Sequence, residues 1–557
     1  MSLGADLRTL RYLRIEQVIR RLWARVRQPW FVSALYDRFC LPAGDLPAPL
    51  RSPPSLTPGD AGNGRCILAG RIRLLERERP LTVPVNWMAA DETPLWRFTL
   101  HYFEWLTDLA ATGDLRWIDT ARLLIADWIA RHPRPSDGVA WHPYPLSLRL
   151  FAWLHHAPEL LDGAPTAFRR AFIAALHRQA WHLSQCVEWD VGGNHAIKNL
   201  KALIAAGVCL PDQATAGQRA LRDLERTVAR QVLPDGAHEE RSPTYHLQVL
   251  VDLIDVADLL GDDSPAWLND AIRRMGSALA TLRLGDGGLA LFNDGTVGEA
   301  ALLAAVDARS GRLAAPADLP QAGYHRLEAG GTAVLFDAGP CCPDDLPAHA
   351  HADTLSFEMS AGTQRLIVNC GTFAYQDPAW RNRLRGTPSH STLTFAGEDS
   401  AEVHGVFRLG RRPREVGGRR VADGLTLEGW HDGYRQRGWR HRRRLTLDAG
   451  GSRLAGEDAL EPLGNGTPGP TAIRFHLHPT VAAASDGADG VRLTTQDNVW
   501  RFIAEGPIAI EPSVYAPRFN VMEKTSQIVL HRNTGATGLR IAWRLERVGD
   551  GDTAAKL

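Results

Sequence analysis

The sequence predicts a multidomain α+β protein in which a long helical region is followed by an all-β region. The chain has 557 residues, which is more than one hydrophobic core usually spans. Apolar residues recur every three or four positions between about residues 91 and 320, and they alternate with polar residues from about residue 325. An apolar content of 44% and a charged content of 23% are typical of a globular protein.

The charge balance and the cysteines argue against two classes of protein. The 63 basic and 63 acidic residues cancel, which argues against a partner bound mainly through phosphates, such as a nucleic acid. The seven cysteines are odd in number and fit no zinc-ribbon spacing, so we predict mostly free, buried thiols. The 17 tryptophans indicate either core packing or stacking platforms for sugars.

The first segment, residues 1–60, is predicted to be a basic helix followed by a linker. Its first thirty residues are amphipathic and rich in arginine, and residues 43–60 are rich in proline and glycine. We expect the helix to pack on the next domain, and a helix lying on a membrane surface is the alternative. No secretory signal is visible. No run approaches the roughly 18 apolar residues of a spanning helix.

Residues 61–320 are predicted to form a helical domain. Phe168, Phe172 and Leu176 illustrate the helical spacing, and short breaks containing Pro, Gly and Asp separate successive helices. Many helices with short connections predict an array of α-hairpins, closed or open.

Residues 321–557 are predicted to form an all-β domain of roughly a dozen strands. Segments such as TAVLFDAG, STLTFAG and IRFHLHP alternate apolar and polar residues, and Gly, Asp and Pro separate them. The simplest arrangement for such strands is an antiparallel sandwich.

The helical domain carries a first polar cluster in the segment GGNHAIKN. Asn194 stands where a helix beginning at His195 would have its N-cap, and capping alone would explain it. The preceding Gly192 and Gly193 also allow close backbone approach, and His195 and Asn199 are four residues apart on one helical face. A binding surface is therefore the alternative to a simple cap.

A second cluster lies in the segment HEERSPTYH. Ser242 is predicted to cap a helix whose first residue is Pro243, which places Tyr245 in the first turn. The positive helix end and Arg241 would favour a phenolate at Tyr245. An amphipathic tyrosine beside a solvated charge run at Glu239–Arg241 would explain the same residues.

The segment HAHADTLSF reads as a strand with polar residues at its start. In an extended chain, His349, His351 and Asp353 would face one direction. His351, Asn369 and His390 are the predicted ligands of a divalent metal, and two imidazoles with one oxygen suit zinc. Hydrogen-bonded polar groups at strand ends are the alternative.

Seven segments, in order, resemble the heparinase II/III-like polysaccharide lyases: WRFTLHYFEWL, WHPYPLSLRL, GGNHAIKNLKAL, DGAHEERSPTYH, HAHADTLSF, VNCGT and RLRGTPSHSTL. The resemblance spans roughly residues 85–410. It implies an incomplete (α/α) toroid followed by an antiparallel β-sandwich, with the active site in the cleft between them. It also implies β-elimination of a glycoside linked to a uronic acid.

The resemblance assigns roles to residues of both domains. It implies that Asn194 and His195 bind the substrate carboxylate and that Tyr245 and His349 transfer protons. The residues expected to contact the rest of the substrate are Glu240, Arg241, His246 and Arg385.

The resemblance also implies a structural divalent metal, zinc by preference, at His351, Asn369 and His390. Many family members have Asp at the middle position, and the neutral Asn369 would weaken such a site. The implied partner is an acidic polysaccharide, and a bacterial exopolysaccharide is the preferred substrate. The implied location is periplasmic or extracellular, with the cytoplasm as the alternative, and a homodimer is one option for the oligomeric state.

Three other functions compete with the lyase. A cupin-like metal-dependent oxygenase would use His349 and His351 as ligands. A glycoside hydrolase would need two facing carboxyl groups, drawn from Glu239, Glu240 and Asp294. A glycan-binding scaffold without catalysis would have a cleft in which Tyr245 and His349 lie apart.

Overall fold

The fold is taken from a computed structural model that describes residues 12, 14–37, 46–311, 313–487 and 489–549. The first eleven residues of the predicted basic segment, the predicted thiol Cys40 and residues 550–557 of the predicted β domain lie outside the described residues. None of the helices in the described part of the chain combines the length and apolar character needed to cross a membrane.

Helices dominate the chain up to Ser310, as predicted. In chain order the helices are α1 (Ile15–Phe31), α2 (Ala34–Asp37), α3 (Ala61–Leu68), α4 (Pro94–Tyr102), α5 (Trp105–Ala110), α6 (Arg116–Arg131), α7 (Pro143–His155), α8 (Ala157–Leu161), α9 (Thr166–Gln185), α10 (Gly193–Cys209), α11 (Ala214–Gln231), α12 (Pro243–Leu260), α13 (Ala266–Thr281), α14 (Ala300–Ser310) and, within the β domain, α15 (Pro378–Arg385). Helix α10 packs against α7, α11 and α12. This region is the incomplete (α/α) toroid.

Helix α12 shows how the local sequence sets the position of a site residue. Ser242 is its N-cap and Pro243 its first residue, as predicted. The helix ends at Leu260, and its C-cap is Gly261, whose positive φ of 58° favours glycine. Tyr245 therefore lies in the first turn of a helix that is buried along most of its length.

The remaining chain forms mainly strands. In chain order they are β1 (Arg71–Leu74), β2 (Arg77–Pro80), β3 (Asp318–Leu319), β4 (Tyr324–Ala329), β5 (Thr332–Asp337), β6 (Phe357–Ala361), β7 (Gln364–Val368), β8 (Leu393–Phe395), β9 (Val403–His404), β10 (Arg408–Leu409), β11 (Val416–Arg420), β12 (Thr426–His431), β13 (Trp439–Leu447), β14 (Arg453–Pro462), β15 (Gly469–Leu477), β16 (Ala482–Ser485), β17 (Gly490–Thr494), β18 (Val499–Ala504), β19 (Ala509–Tyr515), β20 (Glu523–Thr534) and β21 (Leu539–Arg547). More strands are present than the dozen predicted.

Two antiparallel sheets form the β-sandwich. One has eight strands in the order β11-β12-β13-β14-β21-β18-β17-β16. The other has nine, in the order β19-β20-β15-β7-β6-β5-β4-β3 with β8 paired to β15. Their inner faces share one apolar core, in which Phe357 of the nine-stranded sheet stacks on Trp543 of the eight-stranded sheet at 5.7 Å. The predicted fold class is confirmed.

The segment before β6 differs from the prediction. Residues 349–356 form a loop with a turn, and the strand begins only at Phe357. The loop is held by Asn293, whose side chain accepts a hydrogen bond from the His351 N–H at 3.0 Å and whose own N–H donates to Asp353 at 2.9 Å. Because the chain is not extended here, His349, His351 and Asp353 face different partners.

The cysteines and tryptophans follow the plainer expectation. The six cysteines in the described residues are free, and four of them are buried. Trp128 and Trp153 are fully buried and pack edge to face at 5.5 Å in the toroid core. Most tryptophans of the toroid therefore serve packing.

Candidate active site

The centre of the candidate site is a contact between one residue of each domain. Tyr245, in the first turn of α12, and His349, in the loop before β6, stack with ring centroids 3.6 Å apart and planes inclined by 14°. Each residue is 8% exposed. A phenol and an imidazole from distant parts of the sequence thus share one partly open environment.

Glu240 links His349 to the start of α10. One oxygen of its carboxylate lies 2.9 Å from Nδ1 of His349, and the other accepts a hydrogen bond of 2.9 Å from the N–H of Asn194. A Cβ at Gly193 would stand 2.3 Å from the same carboxylate, so this approach requires glycine. Burial opposes ionisation of Glu240, but His349, His238 and the Asn194 N–H outweigh it and lower the pKa to about 2. Glu240 is therefore a carboxylate that orients the imidazole of His349.

Asn194 is not the helix cap that the sequence suggested. Helix α10 begins at Gly193 with Gly192 as its N-cap, and both glycines have positive φ values of 54° and 70°. Asn194 lies in the first turn and is 3% exposed. Its side-chain amide has no hydrogen-bond partner among the described residues, which leaves it free to donate to a ligand.

His195 is paired with a buried carboxylate, which raises the pKa of its imidazole. Its Nδ1 lies 3.1 Å from Glu188, which also accepts a hydrogen bond of 3.2 Å from Asn199. Burial lowers the pKa of His195, but the charge of Glu188 and the hydrogen bond to it outweigh burial, so the net shift is upward. The imidazole packs on the ring of Tyr144 at 4.3 Å. An imidazole with a raised pKa at the start of α10 suits a carboxylate ligand.

Tyr245 is a phenol rather than a phenolate in this structure. Its hydroxyl lies 2.6 Å from the hydroxyl of Tyr375. Burial, together with the neighbouring Tyr375 and Asp294, raises the pKa of Tyr245 well above its ordinary value. The predicted influence of Arg241 is absent, because that guanidinium points away. Tyr245 is therefore suited to donate a proton.

Two predicted substrate contacts are buried structural residues, and we correct those predictions. The guanidinium of Arg241 donates to Asp337 and to the carbonyl groups of Ala322 and Pro340, which joins the toroid to the sandwich. His246 lies between the N–H of His238 and the carbonyl of Met275, at 3.2 and 2.9 Å. Both residues are almost fully buried.

Arg385 is the third correction. Its fully buried guanidinium donates to backbone carbonyl groups of two segments, the loop that carries His349 and residues 405–408. The acceptors are the carbonyl oxygens of Pro347, Ala350, Gly405, Val406 and Arg408, at 2.9 to 3.3 Å. Its hydrogen bonds hold the loop that carries His349 and leave no donor for a substrate.

The predicted metal ligands form a chain of hydrogen bonds. Nε2 of His351 lies 2.9 Å from Asp294, and its Nδ1 lies 3.3 Å from Nε2 of His390. The Asn369 side-chain oxygen accepts from the Ser391 N–H at 3.0 Å, and its nitrogen is buried without a partner. An amide nitrogen is a donor and does not bind a cation.

The metal site at His351, Asn369 and His390 stays a prediction, and the buried Nδ1 of His390 also has no hydrogen-bond partner among the described residues. Within the described residues, no three His, Cys, Asp or Glu side chains converge as metal ligands. Burial lowers the pKa of His351 to about 4 and that of His390 to about 3. Two neutral imidazoles joined by a hydrogen bond account for the contact between them.

The geometry also bears on the competing functions. His349 faces Glu240 and His351 faces Asp294, so the two imidazoles do not share a ligand as a cupin-like site requires. Asp294 is fully buried against Arg381, and Glu240 is an ionised partner of His349. Of the three carboxyl groups considered for a hydrolase, Glu239 alone has a raised pKa, to about 7, mainly because of burial. No facing pair of carboxyl groups is therefore available in this site.

A groove of about 620 Å³ adjoins the site at Gly192 and Gln231. Helix α1 forms one wall, and Leu346, in the loop that leads to His349, lies on another. Arg20, Arg226 and Arg230 also line the groove. An acidic chain that reached Asn194 would find basic side chains here.

Sequence reasoning missed three residues of the site. Tyr375 contacts Tyr245, Glu188 pairs with His195, and Tyr144 packs on that imidazole. Tyr375 and Tyr144 belong to the segments GTFAY and WHPYP. The signal was an aromatic residue next to a Gly- or Pro-containing turn, which is too common to single out.

Comparison with known proteins places residues 81–544 in one group. Residues 81–310 match the family described as Heparinase II/III N-terminus, and residues 311–544 match Heparinase II/III-like, C-terminal. FtsZ-localized protein C of Caulobacter vibrioides is 31% identical over 533 residues, which cover 88% of each chain. Heparin-sulfate lyase of Pedobacter heparinus is 25% identical over 363 residues, covering 56% of this chain and 53% of that protein.

Solved structures show the same fold. A crystal structure of heparinase III aligns with a TM-score of 0.73 at 17% identity and covers 93% of this chain and 89% of that chain. Heparan sulfate lyase HepC of Pedobacter heparinus aligns with a TM-score of 0.60 at 19% identity, covering 89% and 86% of the two chains.

Proposed function

The chain belongs to the heparinase II/III-like family, and from this premise we propose that it cleaves a uronate-containing acidic polysaccharide by β-elimination. The observation that carries the proposal is the stack of Tyr245 on His349, with Glu240 and Asn194 bound to the same site. An acid, a base and donors for a carboxylate stand together there, which is the set that this reaction needs.

The substrate carboxylate is the first group that the site must bind. The ionised carboxylate leaves the C5 proton of the uronate only weakly acidic, so the negative charge of the carboxylate has to be neutralised. The free amide of Asn194 donates to one oxygen, and the cationic His195 balances the negative charge. One donor to developing charge is worth about 3 kcal/mol.

Proton transfer then uses the stacked pair. The Glu240 carboxylate lies beside Nδ1 of His349, at 2.9 Å, so that Nε2 is the base that removes the C5 proton. The electron pair of the C5–H bond forms the C4–C5 double bond as the C4–O bond breaks. The leaving oxygen takes the phenolic proton of Tyr245, and solvent restores both groups. The raised pKa of Tyr245 keeps the phenol protonated, so the proton is present when the leaving oxygen needs it.

The finer substrate class is also a proposal. The heparin-sulfate lyase relative favours a glycosaminoglycan-like polymer. The five arginines of the groove beside Gly192, which outnumber its four acidic residues, suit an acidic chain. A bacterial exopolysaccharide with uronic acids meets the same chemical demands. We propose that the protein binds the polymer outside the cytoplasm, and cell fractionation tests this location. Recovery with cytoplasmic markers alone would contradict it.

The test is a screen of uronate polysaccharides for the ultraviolet absorbance of an unsaturated product. We expect wild-type protein to produce this signal and Tyr245→Phe to lose it while remaining folded. Tyr515→Phe is the matched control, because Tyr515 is buried in the sandwich beside His478, at 4.9 Å.

Other outcomes separate the alternatives. Saturated products would identify a hydrolase and overturn the elimination. Binding of a polymer without any cleavage by wild-type protein would identify a glycan-binding scaffold. Full activity in Tyr245→Phe would show that Tyr245 is not the acid of the reaction.

A further inference from the structure

Helix α1 is attached to the protein by its polar face. The residues of α1 that are buried or half-buried lie on one side: Gln17, Ala24, Arg27, Gln28 and Phe31. An amphipathic helix on a soluble domain normally buries its apolar face instead. The packing expected from the sequence is therefore present, but with the opposite orientation.

The apolar face of α1 is exposed. Its large residues are exposed by 40% to 78%, and they are Ile15, Val18, Ile19, Leu22, Trp23, Val26 and Trp30. Their spacing of three or four positions places them on one side of the helix, opposite the buried residues. Exposed apolar residues elsewhere in the described chain are scattered, whereas these form one continuous stripe. Such a stripe marks an interaction surface.

Arginines border this stripe on both sides. Arg20 and Arg27 follow one edge, and Arg14, Arg21 and Arg25 follow the other. Glu16 is the single acidic residue of the helix. A stripe of Ile, Leu, Val and Trp between rows of arginine suits a surface that is apolar inside and negatively charged at its rim.

The helix is held firmly in this orientation by both domains. Arg27 donates to the carbonyl of Gln185 in the toroid at 2.7 Å, and Phe31 packs edge to face on His182 at 5.1 Å. Gln17 donates to the carbonyl of Asp345, and Arg14 pairs with the carboxylate of Asp345 at 3.1 Å. The apolar stripe is thus presented away from the molecule on a fixed support.

We propose that the exposed face of α1 binds the surface of a membrane containing anionic lipids. The apolar side chains enter the boundary between headgroups and acyl chains, the tryptophans lie at that boundary, and the exposed Arg20, Arg21 and Arg25 contact lipid phosphates. Because α1 is also one wall of the groove beside the candidate site, bound protein would have this groove close to the lipid surface.

Vesicle co-sedimentation of the full chain tests the proposal. Vesicles of phosphatidylglycerol with phosphatidylcholine should bind the wild-type protein, and phosphatidylcholine alone should bind it weakly. Leu22→Glu should weaken binding by about tenfold or more, because it places a charge among the acyl chains. Leu123→Glu on α6 is the matched control, since Leu22 and Leu123 are both 56% exposed. The control should bind like wild type.

Two results would overturn the proposal. Equal vesicle binding by wild type and Leu22→Glu would show that α1 is not the contact. Failure to bind anionic vesicles, together with a dimer in light scattering that Leu22→Glu dissociates, would show that a second copy of the chain covers the stripe. Neither measurement depends on catalytic activity, so the proposed lyase function can fail or succeed separately.

Discussion

The hydroxyl groups of Tyr245 and Tyr375 lie 2.6 Å apart, which joins the first turn of α12 in the toroid to a loop of the sandwich. Arg381 lies over the ring of Tyr375 at 4.6 Å. Tyr375 is thereby fixed, and it fixes the hydroxyl of Tyr245 in turn. The proposed acid is thus positioned by the other domain.

Replacing Tyr375 by Phe should slow the reaction without abolishing it. The change removes the partner of Tyr245 but leaves its proton, so we expect kcat to fall roughly tenfold, against roughly 1000-fold for Tyr245→Phe. Initial rates of product absorbance measure both. Equal losses in the two variants would show that Tyr375, and not only Tyr245, transfers the proton.

Replacing Glu240 by Gln should lower kcat roughly 100-fold, because His349 loses the carboxylate that orients it. It should also change acid stability. The folded pKa of Glu240 is about 2, below the ordinary value of 4.5. Its stabilising effect is therefore present above pH 4.5 and is lost as the pH falls towards 2.

Unfolding by urea at several pH values checks the second part of this prediction. Wild-type protein should lose more stability than Glu240→Gln between pH 4.5 and the acid limit. Identical slopes for the two proteins would contradict the ion pair with His349.

His195 should set the alkaline limit of the reaction. Its pKa is raised by Glu188, so the cation persists further towards neutral pH and is lost as the pH rises through the raised value. We expect kcat/KM to fall with that loss. Glu188→Gln should move the fall to lower pH, and His195→Gln should remove it while raising KM. A profile unchanged in Glu188→Gln would exclude this role.

Replacing Arg241 by Met should destabilise the protein rather than weaken substrate binding. The buried Asp337 would lose its charged partner, and such a loss costs roughly 3–5 kcal/mol. Arg116→Met is the control, because its ion pair with Asp114 is exposed to solvent and contributes little to stability. Urea unfolding gives the difference, and a raised KM in folded protein would restore the original prediction for Arg241.

Removal of divalent metal should leave activity and stability unchanged, because both ring nitrogens of His351 are already hydrogen-bonded, one to Asp294 and the other to His390. Chelator treatment followed by elemental analysis measures this. Zinc bound in a one-to-one ratio in wild type and lost in His390→Ala would instead establish the structural zinc expected from the sequence.

Local patterns predicted the fold class and several element ends. The start of α12 at Ser242 and Pro243 was predicted because capping chemistry depends on adjacent residues. The segment at His349–Asp353 was predicted wrongly as extended, because hydrogen bonds with Asn293, and with Asp337 at the following Leu355 and Ser356, bend the loop. Those partners are distant in sequence, and alternation alone does not reveal them.

The positions of side chains were also predicted correctly in some cases and wrongly in others. The short, rigid Tyr245 lies where the helix start places it, and it meets His349. Arg241 and Arg385 have long side chains that reach buried carbonyl groups, those of Ala322 and Ala350 among them. Residue type and spacing indicated a charged substrate contact, whereas the available buried acceptors determined where each guanidinium lies.

The sequence by itself predicted a helical domain, a sandwich, and a tyrosine at a helix start that suits proton transfer, because periodicity and capping act over a few residues. Only the tertiary structure decided that Glu240 orients His349, that Tyr375 positions Tyr245, and that α1 exposes its apolar face. Each of these depends on which surfaces meet across the two domains, and the free energy of that packing is shared among residues far apart in the chain.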